Sequence, residues 1–217
     1  MSHKEHIIEM AMRMFVQQGI KSVRMDDIAQ ELGISKRTLY EQFGDKEELL
    51  YLSLSRYMTD IHERIAARAA EADNTLESIL VGFFEITGYS ETNTRIMGNL
   101  RKFYPEVHER LHRELGSKGT ERFKRAIGRC MDEGLLDCNM NIDLALTMLY
   151  YMALGIVARK DVILPAGVSA RDAFINVVIM FFRGISTPEG MRIIDDFAKE
   201  RFARSGEESS DGGSRHE

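Results

Sequence analysis

Only three prolines interrupt the 217 residues, and no stretch alternates Val, Ile or Thr with polar residues. The first scarcity removes most helix breakers and the second removes any convincing strand. With many Met, Leu, Ala and Glu, the chain reads as all-α. The two cysteines, Cys130 and Cys138, fall in no CxxC or Cys/His spacing. That leaves no zinc ribbon or redox pair, and each thiol is read as a small buried or idle side chain. The longest apolar stretch, around Ala173 to Phe182, is too short to span a bilayer, and the polar start MSHKEH is not a secretory signal. A soluble cytoplasmic protein with reduced thiols and no membrane partner is therefore expected. Nor is there an excess of positive charge: Lys+Arg number 29 against 34 Asp+Glu, for a net charge of −5. Nothing global marks a nucleic-acid binder, so any basic surface must be local.

What is present is a succession of helical patterns. Ser2 and Glu5 have capping-box spacing, and Ile7, Ala11, Met14 and Phe15 recur at helical intervals until Gly19 stops the pattern. Met25, Ile28, Ala29 and Leu32 repeat it over a shorter span that closes at Gly33, and Ser35 opens a third piece with Leu39 and Phe43 inward. Two short helices joined by a turn of about three residues containing Gly form the helix-turn-helix pattern. Asp45, with Glu48 at the capping-box position, then opens a long helix carried by Leu49, Leu52, Tyr57 and Ile61 to about Ala70. Further helices are expected over Leu76 to Tyr89, Thr94 to Phe103, Pro105 to Glu133, Ile142 to Lys160, Ala170 to Gly184 and Pro188 to Ala203. The ending SGEESSDGGSRHE reads as a solvated tail.

The third helix carries the informative anomaly. Lys36 and Arg37 follow Ser35 directly, so two cations occupy a first turn whose partial positive charge favours acids. Something outside the helix must offset that cost. Projected at about 100° per residue, Leu39 and Phe43 form the inner side, while Arg37 and Glu41 point directly away, flanked by Thr38 and Tyr40. Duplex DNA suits this outer face: Lys and Arg neutralise phosphates and reach guanine edges, Thr and Tyr hydroxyls bond phosphate oxygens, and a helix fits the major groove. Lys46 also sits in a first turn, where its ammonium and the free backbone N–H groups could grip one phosphate. The alternative for each residue taken singly is a solvated charged surface.

The segment MDDIAQELGISKRTLYEQFGDKEELL resembles the DNA-binding domain of the TetR (tetracycline-repressor) family of bacterial transcription regulators. The likeness covers roughly residues 4 to 50, through IA, GIS, TLY, F and KEELL; beyond Leu50 it is one of helical layout. It implies a DNA-binding domain over residues 1–50, a helical effector-binding and dimerisation domain over 51–204, and a disordered tail over 205–217. Carried across position by position, it implies a helix-turn-helix from about Arg24 to Phe43 that reads a double-stranded operator. Ser35, Lys36, Arg37, Thr38 and Tyr40 would lie on DNA, Lys46 on a phosphate, and Ile28, Ala29, Leu39 and Phe43 in the core. One departure stands out: the family often has Ser or Thr capping the second helix, and this chain has Arg24. Arg24 could bind phosphate directly, with Ser22 as a substitute cap.

In the rest of the chain, Ile142, Leu146, Leu149 and Ile156 share one side of their helix, while Leu144, Met148, Tyr151 and Met152 lie elsewhere, and Ala173 to Ile185 is apolar nearly all round. Such helices need burial on more than one face. A symmetry mate supplies the second face most simply, in a C2 homodimer resting on Leu149, Ile156, Phe174, Val178 and Phe181. The resemblance implies the same four-helix interface; the alternative is the centre of a monomeric bundle. The middle helices carry Phe84, Met97, Leu100, Phe103 and Tyr104, then Phe123, Ile127 and Met131, then Met148, Tyr151 and Met152. Flexible Met beside aromatics suits a pocket for a mostly apolar small-molecule effector, although core packing is the commoner use of such residues. By resemblance, a molecule bound there would move the fourth helix and spread the two reading heads.

One stretch points to another class. HERLH, from His108 to His112, matches H-E-x-x-H, which on a helix can place two zinc ligands beside a general base. There is no third His at metzincin spacing, and Glu133 is only a distant third ligand. Ion pairs from Glu106 to Arg110 and from Glu109 to Arg113 explain the stretch as a solvated face. No catalytic residue, metal or cofactor is therefore assigned. The reading is a homodimeric DNA-binding regulator, a repressor released by a small ligand. Its alternatives are a DNA-binding regulator without an effector and, remotely, a zinc-dependent hydrolase.

Overall fold

The computed structural model describes residues 2–137, 139, 141–158 and 164–211. They form α1 (His3–Gln18), α2 (Met25–Glu31), α3 (Lys36–Phe43), α4 (Lys46–Ala69), α5 (Thr75–Ile86), α6 (Ser90–Phe103), α7 (Pro105–Leu111), α8 (Ser117–Asp132), α9 (Ile142–Ala158), α10 (Ala170–Ile185) and α11 (Pro188–Asp211). The all-α expectation holds among these residues; the one β feature is an isolated antiparallel bridge between Leu136 and Ser186.

The chain divides into two compact units: residues 1–65 with 89–121, and residues 66–88 with 122–217. The sequence reading places the boundary between its two folded domains at residue 50, ahead of a tail from 205. The first unit instead takes in most of α4 and returns for α6 and α7.

Local chemistry builds the first unit. Ser2 and Glu5 form the expected capping box: the Glu5 N–H donates to Ser2 Oγ at 3.2 Å and the Ser2 N–H to Glu5 Oε2 at 2.6 Å. The bond from the Ser2 N–H to the carboxylate also lowers the Glu5 pKa. α2 ends where the Ile34 N–H donates to the Ala29 carbonyl at 3.0 Å and the Gly33 N–H to that of Gln30 at 3.1 Å. This Schellman closure needs a left-handed residue, and Gly33 has φ +63°. α3 then starts in a new direction, fastened by Leu39 and Phe43 among Ile7, Phe15, Ile28, Leu49, Leu50 and Leu54. Burying Leu39 completely contributes roughly 1.5–3 kcal/mol, which is what holds so short a helix in place. Along α4 the buried residues are Leu49, Leu50, Tyr51, Ser53, Leu54 and Ile61; the expected Leu52 and Tyr57 are only half-buried.

Three boundaries differ from expectation. The helix expected from Thr94 begins at Ser90, after a 3₁₀ turn over Thr87–Tyr89. The single helix expected from Pro105 to Glu133 contains a π-turn at His112–Gly116, in a stretch where Gly116 and Gly119 weaken helix propensity. The last helix runs to Asp211 instead of Ala203, so much of the expected tail is helical; its added turns include the good helix formers Arg204, Glu207 and Glu208.

In the second unit α10 packs against α5, α9 and α11. Its core combines Leu76, Leu80, Ile127, Leu149, Phe174, Val178, Phe182 and Ile194. The Phe83 ring lies edge-on to Phe123, with centroids 5.5 Å apart, and near those of Phe174 and Phe182. Cys130 is buried here, and burial pushes its thiol up to about 12. The Cys138 expectation lies outside the described residues.

The fold thus redistributes the residues expected on the dimer face. Leu149, Phe174 and Val178 are buried inside the protomer, Phe181 is half-buried, and the Ile156 side chain lies outside those described. Among the described side chains, the large apolar ones exposed on these two helices are Leu144, Met148, Tyr151 and Met152 of α9 and Met180 of α10. Periodicity shows that α9 and α10 have two apolar faces; which of them turns inward is decided by α5 and α11 packing against α10.

Candidate nucleic-acid interface

Gly33 and the buried Leu39 and Phe43 together leave one side of α3 facing outward, carrying Lys36, Arg37, Tyr40 and Glu41, all exposed, with Thr38 half-exposed beside them. Ser35 is the N-cap: its Oγ accepts the Thr38 N–H at 3.0 Å and lies 2.8 Å from Thr38 Oγ1. The hydroxyl expected on DNA is thus already used to start the helix, although it remains exposed.

The first-turn cations have partners within the chain. Lys36 Nζ donates to Asp26 Oδ2 of α2, and Arg37 Nε donates to Glu41 Oε1 at 2.7 Å. Both pairs are exposed, so each is worth about 0–1 kcal/mol and is easily exchanged for a phosphate or a base. In the free chain the offset therefore comes from two carboxylates, Asp26 outside α3 and Glu41 within it. Lys46 in the first turn of α4 is answered differently: Nζ donates to the Ile20 carbonyl at 2.7 Å and lies 5.3 Å from the centre of the Tyr104 ring. It is half-buried, and two of its three donor positions are not needed for the Ile20 bond.

The caps also depart from expectation. Ser22 does not cap α2, and Arg24 makes no capping bond with its side chain; instead Asp27 reaches back and accepts the Arg24 N–H at 2.8 Å. The Arg24 side chain is left exposed at the end of the motif. Asp45 caps α4, accepting the Glu48 N–H at 2.8 Å. The Glu48 carboxylate is held by Arg110 at 2.6 Å, which also meets Glu114 at 3.4 Å in place of the expected Glu106. The same guanidinium lies 3.4 Å from the centre of the Tyr51 ring, and the Tyr51 hydroxyl donates to Glu114, which raises the Tyr51 pKa.

The residues expected to line an effector pocket divide between the two units. Met97, Leu100, Phe103 and Tyr104 belong to the first; Phe84, Phe123, Ile127, Met131, Met148, Tyr151 and Met152 belong to the second. Leu100 and Ile127 are core, without appreciable accessible surface. The Phe103 ring is approached by the ammonium groups of Lys21, at 4.6 Å, and Lys102, at 5.2 Å. Met148, Tyr151 and Met152 are exposed, while Met97, Phe84, Phe123 and Met131 are half-buried. As for HERLH, α7 gives way to the π-turn at His112, and no group of three His, Cys, Asp or Glu able to hold a metal stands together among the described residues.

Comparison with known proteins bears on this arrangement. Residues 7–51 match the model for bacterial regulatory proteins of the tetR family. Those residues form a TetR-type DNA-binding segment. The matched segment is one of regulatory proteins and lies outside HERLH. An HTH-type transcriptional regulator of Staphylococcus aureus is 39% identical over 54 residues, 25% of this chain and 29% of the relative; the match thus spans less than a third of that protein's length. A TetR/AcrR family regulator from Thermobifida fusca is 25% identical, with a TM-score of 0.62 over 83% of this chain and 97% of the other. The fatty acid degradation regulator FadR of Bacillus halodurans shares 18% identity and a TM-score of 0.65, covering 85% and 97%. At that identity the likeness is one of fold, and it extends through both units of the chain.

Sequence reasoning missed the partners and not the cations. Glu41 was visible four residues beyond Arg37 on the same face, but Asp26, ten residues before Lys36, and the Ile20 carbonyl have no spacing signal. A consequence of the Ser35 cap is measurable without DNA. Ser35→Ala should lower stability by about 1 kcal/mol in urea unfolding, whereas Ser35→Asp, also a capping residue, should restore most of it. Equal stability of all three proteins would show that the Ser35 bond adds nothing.

Proposed function

We propose that this protein is a homodimeric transcription regulator of the cytoplasm that binds a palindromic DNA operator and acts as a repressor released by a small, mostly apolar molecule. The observation that carries the reading is the outward side of α3. Exposed Lys36, Arg37 and Tyr40 and half-exposed Thr38 are held in register by buried Leu39 and Phe43, within the segment that matches the family. Arg37 is assigned to a base edge; Lys36, Thr38, Tyr40 and Arg24 are assigned mainly to phosphates, with Lys46 behind them at the start of α4. Phosphates supply affinity without sequence information, and base edges supply specificity. The described helices include none long and apolar enough to cross a membrane, which accords with a DNA-binding role.

The two kinds of contact separate experimentally. Lys46→Gln, which keeps a donor for the Ile20 carbonyl but not the charge, should weaken binding to operator and scrambled duplex alike. It should also lower the salt slope by about one unit per head. Arg37→Ala should cost roughly 1–3 kcal/mol per head on the operator and relax preference at one base pair in each half-site. The half-sites should lie about one helical turn, or a multiple of it, apart. Equal loss on both duplexes for Arg37→Ala would demote it to a phosphate anchor.

The dimer is supported by the surface of α9 and α10. Leu144, Met148 and Tyr151 follow one another at four- and three-residue steps, Met152 lies beside them, and Met180 is 70% exposed on the helix packed alongside. An apolar patch on two adjacent helices suits a self-complementary four-helix interface. Met148→Glu combined with Met180→Glu should leave a folded monomer, because both side chains are exposed in the protomer. Sedimentation of the wild type as a stable monomer at micromolar concentration would remove the dimer.

The effector proposal rests on the half-buried apolar residues Phe84, Phe123 and Met131 of the second unit. Screening hydrophobic compounds by thermal shift should find molecules that stabilise the protein and lower its operator affinity. A compound that binds tightly yet leaves operator affinity unchanged is no inducer, since equal affinity for two states shifts nothing. If no compound stabilises the protein, the regulator without an effector is the better reading.

A further inference from the structure

We infer that Glu41 is a specificity-determining positioning residue: it grips Arg37 by Nε and presents the free end of the guanidinium to the DNA. The inference rests on the DNA-reading assignment of α3. The geometry gives the reason. Arg37 Nε donates to Glu41 Oε1 at 2.7 Å, and no bond uses the two Nη groups among the described residues. A bond at Nε occupies one edge of the planar fork and leaves Nη1 and Nη2 side by side, the pair that can donate together to guanine O6 and N7. A long arginine side chain that is 87% exposed is otherwise free to sample many rotamers, and each phosphate nearby competes for it. Fixing one edge lowers the entropy that must be lost when the base contact forms.

Two features make helix stability a poor explanation for the pair. It runs from Arg37 at the start of α3 to Glu41 towards its end, the less favourable order for an i,i+4 ion pair and opposed to the helix dipole at both positions. Moreover Glu41 is 60% exposed on the side assigned to DNA, where a carboxylate is repelled by every phosphate near it. A residue that disfavours both the helix and general DNA affinity at this position must act through what it holds. Lys36 offers the contrast, since its partner Asp26 comes from α2 and its ammonium has no directional fork to orient.

The test uses the full-length protein, an operator selected from a random duplex pool, the same operator changed at single base pairs, and a scrambled duplex, all at fixed salt. Glu41→Ala should bind the scrambled duplex more tightly, because a negative charge is gone. It should lose discrimination at the Arg37 base pair by roughly five- to tenfold, and adding Arg37→Ala to it should cause little further loss. Glu41→Gln keeps an acceptor oxygen for Nε, so it should tighten binding to all duplexes and restore discrimination at that base pair. A solvated charge would behave otherwise: Glu41→Ala would tighten binding to operator and scrambled duplex by the same factor with discrimination intact, which overturns the inference. A shift in preference at a different base pair would also overturn it, by making Glu41 a base reader itself. If Arg37→Ala alone leaves base preference unchanged, or the wild type selects no operator, the underlying DNA reading has failed and the positioning role falls with it, whereas failure of the Glu41 variants alone overturns only the positioning role.

Discussion

A positive side chain in the first turn of a helix faces the positive end of the helix dipole, and the helix-turn-helix region of this protein carries three such conflicts. Lys36 and Arg37 open α3 and Lys46 opens α4. Each is answered within the chain, by Asp26, by Glu41, and by the Ile20 carbonyl with the Tyr104 ring. The first two answers are exposed ion pairs of small worth, so the cations remain available. The third is half-buried and ties the start of α4 both to the residues before α2 and to the end of α6. Positive charge is thus kept in place without being neutralised by a deep, strong pair.

Around that surface the packing is conventional. Leu39 and Phe43 fasten an eight-residue helix that could not persist alone, and the Gly33 closure gives it its direction. Beneath α4, Arg110 gathers Glu48, Tyr51 and Glu114 into one cluster, so α7 and the π-turn after it hold the same helix whose first residue is Lys46. In the second unit, Phe83 with Phe123, Phe174 and Phe182 forms an aromatic centre on which α10 is buried. That burial turns Phe174 and Val178 inward and leaves Met180 outside.

Much of the head was legible. The Ser2–Glu5 box, the breaks at Gly19 and Gly33, the Ser35 and Asp45 caps and the inward Leu39 and Phe43 are all local, set by spacing of four residues or fewer and by the special freedom of glycine. The cap of α2 was misplaced because Arg24 offers no acceptor, and the reciprocal carboxylate of Asp27 took the part given to Ser22. Expected pairs failed where a distant residue competed: Arg110 prefers Glu48, sixty-two positions away, to Glu106 on its own helix. Expected ring surfaces were altered in the same way, since Phe103 faces Lys21.

The sequence by itself determined the all-helical class, the helix-turn-helix and the identity of the outward-facing residues on α3. Those follow from periodicity and capping, which act within a turn or two of the chain. Tertiary structure alone decided which partner each cation holds, which face of α9 and α10 turns inward, and that α6 and α7 belong to the same compact unit as the helix-turn-helix. Such choices depend on which surfaces and charges compete across long separations in the chain, and the sequence pattern carries no record of that competition.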